Sequence, residues 1–95
     1  MFKELNPLLH SELRLGVMSI LISVESADFT YLRKQTGATA GNLSVQLEKL
    51  SQAQYVTIEK SFRGKMPRTT CRITKEGINA FREYVEALQT YIVKN

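Results

Sequence analysis

The spacing of apolar residues changes twice along this chain, and that change limits the folds open to it. Through the first half they recur every three to four positions, the spacing of helices. After Tyr55 the pattern becomes alternation, with Val56, Ile58 and Phe62 set against Thr57, Glu59 and Ser61, as in a half-buried strand. Alternation resumes over Thr69–Thr74, where Cys71 and Ile73 are the inward candidates, beyond a loop from Arg63 to Arg68 that holds Gly64 and Pro67. Helical spacing returns from Lys75 to about Lys94. Helices, one hairpin and a closing helix in 95 residues predict a single domain over 1–95, since so short a chain supports one core.

The helical stretches divide further. Leu9, Leu13, Val17, Ile20, Leu21 and Val24 form one apolar stripe of a helix from about Leu8 to Val24, with Pro7 tolerated at its start. A polar break, Glu25–Asp28, precedes a short helix over Tyr31 to Gln35 or Thr36, for which Thr30 is the expected cap. Gly37 supplies a helix-ending turn, and Thr39 can cap a third helix from Ala40 to about Gln52. That helix places Leu43, Leu47 and Leu50 on one stripe, and Asn42, Ser44, Val45, Gln46 and Lys49 on or near the opposite side. In the last helix Ile78, Phe81, Val85, Leu88 and Ile92 make the expected core stripe, with Tyr84, Ala87 and Tyr91 beside it.

Both terminal helices are apolar on two faces. Leu5, Leu8, Leu15, Met18 and Ile22 on the first, with Tyr84, Leu88, Tyr91 and Ile92 on the last, are too many to leave on the surface of a monomer. Residues 1–24 and 75–95 are therefore the expected interface of a homodimer.

Counting excludes several chemistries. Cys71 and His10 are each the sole residue of their type, so one chain cannot build a disulfide or a Cys/His metal cluster, and no metal or cofactor is expected. Cys71 reads as a small buried hydrophobe, with a thiol sensor as the alternative. His10 reads as a surface or first-turn residue. No pair of groups is spaced for acid–base or nucleophilic work, so an enzyme is not expected. No apolar run approaches the roughly 20 residues that span a bilayer, and the N-terminus lacks a signal-peptide pattern, so no membrane partner is expected and the cytoplasm is the expected location.

The charge is +4 overall, but unevenly placed. Lys60 to Lys75 contains six basic residues and no acid, whereas the rest of the chain holds seven basic residues against nine acids. A helix, turn and helix followed by a basic ribbon suits double-stranded DNA. A major groove about 12 Å wide admits one helix that is apolar behind and polar in front. Asn42 and Gln46, one turn apart, could each present a donor and an acceptor to a base edge. Arg63, Lys65 and Arg68 are expected at the ribbon's tip on phosphates or in the minor groove, with Arg72 on the same ribbon. Arg33, Lys34, Thr30 and Thr39 are further phosphate candidates.

Gly41-Asn42-Leu43-Ser44, Leu47-Glu48-Lys49-Leu50, Tyr55-Val56, the basic stretch to Arg68-Thr69, and Ile73-Thr74-Lys75-Glu76-Gly77 together resemble the short winged-helix transcriptional regulators related to the MarR and ArsR groups. The resemblance spans roughly Leu13 to Leu88. It implies an α+β, mainly α fold, a winged helix-turn-helix with a three-helix core, a two-to-three-stranded β wing and a long C-terminal helix. It also implies a homodimeric repressor on operator DNA, and a small-molecule effector that could bind near the dimer and DNA-binding layers. The alternative is a winged-helix protein–protein interaction module without DNA binding. Two departures stand out. Gln54 occupies a position where relatives usually have Gly, which predicts either a left-handed backbone there costing about 1 kcal/mol or a different turn. Val45 stands where relatives often carry a basic or aromatic residue. ArsR-type metal sensing is unsupported, because its paired Cys ligands are absent.

Overall fold

The computed structural model describes residues 1–92 in full. Four helices and three strands follow in the order α1 (Glu12–Val24), β1 (Ser26–Asp28), α2 (Phe29–Thr36), α3 (Ala40–Gln52), β2 (Val56–Arg63), β3 (Met66–Ile73) and α4 (Lys75–Gln89). The strands form one antiparallel sheet in the order β1-β3-β2. α4 ends at Gln89 with Thr90 as its C-cap, about five residues before the expected end near Lys94. No helix among them is long and apolar enough to cross a membrane.

The turns follow from residue chemistry. Asn6 folds the segment before α1 into a turn, its Oδ1 accepting from Leu8 N–H and its backbone carbonyl from Leu9 and His10 N–H. α1 therefore begins at Glu12, four residues later than the apolar stripe suggests, and Leu5 and Leu8 precede the helix instead of lying on it. α2 begins at Phe29, because Asp28, not Thr30, caps it by accepting from Tyr31 N–H at 2.8 Å. Gly37 ends α2 at φ 71°, and Thr39 caps α3 by accepting from Asn42 N–H, both as the sequence predicts. Gln54 is left-handed, at φ 66°. Around it Tyr55 N–H donates to Leu50 O and Gln54 N–H to Ser51 O, the two bonds of a Schellman ending.

The hairpin is tighter than its sequence suggests. Arg63 pairs with Met66 across a two-residue turn, Gly64-Lys65, and Gly64 takes the positive φ of 65° that a type II′ turn needs first. β3 thus starts at Met66, not Thr69. Pro67 is accommodated because β1 pairs only with Thr70 to Arg72, so Pro67 lies on a two-stranded stretch. Ser26–Asp28, read from sequence as a polar break, is the third strand.

Leu9, Val17, Met18, Leu21, Leu32, Leu43, Leu47, Leu50, Val56 and Cys71 are fully enclosed or nearly so. Three expectations change here. Met18 and Tyr84 belong to the protomer's own core and offer nothing to a second copy. α4 turns Gly77, Ala80, Tyr84 and Ala87 inward, leaving Val85 and Leu88 exposed, because Gly77 lets the start of the helix close on the Tyr55 carbonyl and the helix packs along α1. Leu5, Leu8, Leu15 and Ile22 are half-buried against the same core, so much of the second apolar face of the N-terminal segment is already covered. His10 reaches Tyr84, with Nδ1 2.9 Å from its hydroxyl.

Candidate nucleic-acid interface

α3 is held by Leu43, Leu47 and Leu50, and presents Gly41, Ser44, Val45, Glu48 and Lys49 to solvent. Val45 is 53% exposed, placing an apolar contact group at the centre of that face. Beside it, a groove between α3 and the wing is lined by Phe29, Ser44, Glu48, Ile58, Lys60 and Thr69, among others. Lys60 was not singled out from the sequence. Its parity with Val56 and Ile58 carries the signal, since alternation puts all three on one face of β2, and Lys60 continues that face beyond the core.

The polar pair expected to read bases is arranged differently. Gln46 is half-buried on the flank of α3 that meets α1, where its Oε1 accepts from Arg14 Nη1 and its Nε2 donates to Asn42 Oδ1 at 3.0 Å. The Gln46 amide is thus committed inside the protomer, while Asn42 is exposed with Nδ2 making no hydrogen bond among the described residues. Arg14 escaped the sequence reading, although a cation between Leu13 and Leu15 in an apolar run has to find a partner.

The wing tip is Gly64-Lys65, flanked by Arg63, and all three are exposed. Arg68 is not at the tip. It lies opposite Ser61, partway down β3, with its guanidinium 3.9 Å from the Asp28 carboxylate. Arg72 sits at the root, opposite Thr57 and Ser26. Thr30, Arg33 and Lys34 line the exposed side of α2, and the Thr39 hydroxyl already caps α3. Cys71 is fully enclosed, and burial pushes its thiol up from 9.0 to about 11, the opposite of what a reactive sensor thiol needs.

A recognition helix with a free outer face beside a basic hairpin defines a winged-helix DNA-binding domain. The sequence profile of the family described as winged helix DNA-binding domain matches residues 13–92, and the chain belongs to that family. An uncharacterized protein of Methanocaldococcus jannaschii is 33% identical over 81 residues, 84% of this chain and 88% of that protein. A transcriptional regulator homologue from Pyrococcus horikoshii OT3 superposes with a TM-score of 0.83 at 27% identity, covering 88% of this chain and 83% of that one. A PadR family transcriptional regulator from Eggerthella lenta DSM 2243 gives a TM-score of 0.65 at 30% identity over 84% and 78% of the two chains. Structural neighbours thus include regulators of the PadR and MarR families. The protein is a DNA-binding regulator of this family and not an enzyme.

Proposed function

We propose that the protein is a homodimeric, sequence-specific repressor acting on duplex DNA in the cytoplasm. α3 lies in the major groove and the wing follows the backbone or minor groove. The exposed face of α3 carries this reading, since Ser44, Val45 and Lys49 stand free while Leu43, Leu47 and Leu50 fix the helix from behind. Arg63 and Lys65 at the tip and Lys60 in the adjoining groove supply the phosphate contacts. Two protomers seated this way cover the operator and exclude other proteins from it, which is the physical basis of repression.

The dimer surface is the outer face of α4 with the turn that follows it, where Val85 and Leu88 on the helix and Tyr91 and Ile92 after it are 37 to 57% exposed. Phe2 stacks on Tyr91 with ring centroids 4.6 Å apart and extends that patch. An open groove of about 620 Å³ bounded by Leu13, Gly16, Ile20, Thr36 and Asn42 is the place for a small effector.

Titration of random and genomic duplexes at several salt concentrations tests the DNA reading. Affinity should fall linearly on a log–log plot, and no binding near 50 mM salt overturns it. Reversing Arg63 and Lys65 to Glu should lower the salt slope by about two and abolish specific binding. A partner complex that survives this reversal in a protein without DNA affinity would instead indicate an interaction module.

A further inference from the structure

We propose that Arg14 sets the hydrogen-bonding polarity of the recognition helix, so that Asn42 meets DNA as a donor only. This rests on the placement of α3 in the major groove proposed above. The inference follows from donor inventory. A guanidinium has five N–H donors and no acceptor, so the atom of Gln46 that faces it must be the carbonyl oxygen. With Oε1 turned to Arg14, Nε2 of Gln46 is left to face Asn42 and must meet an acceptor, which fixes Asn42 with Oδ1 inward at 3.0 Å. Nδ2 is then the polar atom Asn42 has left to offer.

Arg14 is well held for this task. Its Nε donates to the backbone carbonyl of Leu8 at 2.5 Å, in the turn organised by Asn6, so the guanidinium is anchored on the N-terminal segment while Nη1 reaches α3. Arg14 and Gln46 are both half-buried, so water competes poorly for the link between them, while the Gln46–Asn42 link lies at the surface and is set by the orientation of the Gln46 amide. Arg14 is a positioning residue that acts through Gln46.

A free asparagine presents a donor and an acceptor together, the pattern that matches adenine N6 and N7. A donor-only Asn42 instead selects a base rich in major-groove acceptors, guanine with N7 and O6 or thymine with O4.

The test is selection of binding sites from a randomised duplex pool by the full chain and three variants, with affinity for random DNA measured alongside. Gln46→Glu keeps the shape of the side chain but replaces Nε2 with an acceptor, so Asn42 must turn and donate inward, leaving Oδ1 outward. The preferred base at one position should change from guanine or thymine to cytosine or adenine, the bases that offer an exocyclic amine. Arg14→Met should release the relay and reduce discrimination at the same position from about tenfold to within about twofold. Arg14→Lys, still donor-only, should retain the wild-type base. A Gln46→Glu protein that binds DNA with an unchanged base preference overturns this inference alone. Absence of duplex binding by the wild type overturns it together with the reading of α3 as the DNA-contacting helix.

Discussion

Replacing Gly77 with Ala should destabilise the protein, although alanine is the better helix former. Gly77 lies in the first turn of α4, its N–H donating to the Thr74 cap at 2.9 Å. A Cβ at this position would stand 2.1 Å from the carbonyl oxygen of Tyr55, where ordinary contact begins at 3.4 Å, and 3.1 Å from Ile73 Cγ1. The obstacle is backbone, so no rotamer change relieves it, and α4 and Tyr55 have to separate by roughly 1 Å. That same carbonyl accepts from Thr74 N–H at 3.0 Å, and the neighbouring Gln54 carbonyl accepts from Thr74 Oγ1 at 2.6 Å. Overpacking costs about 1 to 3 kcal/mol. One weakened hydrogen bond adds about 1 kcal/mol. The helix propensity of alanine returns about 1 kcal/mol. The net loss is about 2 kcal/mol, or a melting temperature lower by roughly 8 to 16 °C for a domain of this size. Thermal unfolding followed by circular dichroism at one fixed protein concentration measures it. Gly41→Ala is the control, because nothing lies within 4 Å of its Cβ position, and it should melt at or above the wild type. A Gly77→Ala protein melting as high as wild type would refute the close approach of α4 to Tyr55.

Three further outcomes are expected. Gln54→Gly should raise the melting temperature by a few degrees, since glycine relieves about 1 kcal/mol of left-handed strain at φ 66° and loses part of it to chain entropy; a lower melting point would show that the Gln54 side chain matters more than its backbone. Because burial raises the Cys71 pKa from 9.0 to about 11, the folded state holds that proton more tightly, and the stability it contributes is full below pH 9 and lost as pH rises through 11. The stability gap between wild type and Cys71→Ala should therefore close over that window, and a constant gap contradicts the assignment. Leu88→Glu should convert a sedimenting dimer to a 10.8 kDa monomer, whereas a wild type already sedimenting at that mass would remove the dimer.

What could be read from the sequence was whatever depends on neighbours along the chain. The period change at Tyr55, the Gly37 turn, the Thr39 cap and the left-handed Gln54 are all local, and the structure has each of them. Contacts between distant elements decide the rest. Helical spacing shows that α1 and α4 each have two apolar faces, but which face turns inward depends on Gly77 fitting against the Tyr55 carbonyl and on Tyr84 reaching His10 before α1. Met18 and Tyr84 were therefore assigned to the wrong surface. Asp28 hid behind Thr30 as a cap, because three residues of β1 are too few to show alternation. Gln46 looked free because Arg14, its partner, is 32 residues away in sequence.

β1 follows α1 after the single residue Glu25, held at φ 69°, and Ile73 N–H at the foot of the wing donates to the Glu25 carbonyl at 3.0 Å. The helix that adjoins the proposed effector groove and the ribbon proposed to touch DNA are thus one mechanical piece. An eight-residue strand is a lever of about 26 Å, so a tilt of about 10° at Glu25 carries Lys65 through about 4.5 Å, a large part of the roughly 6 Å width of a minor groove. Small adjustments at the foot become changes of register at the tip.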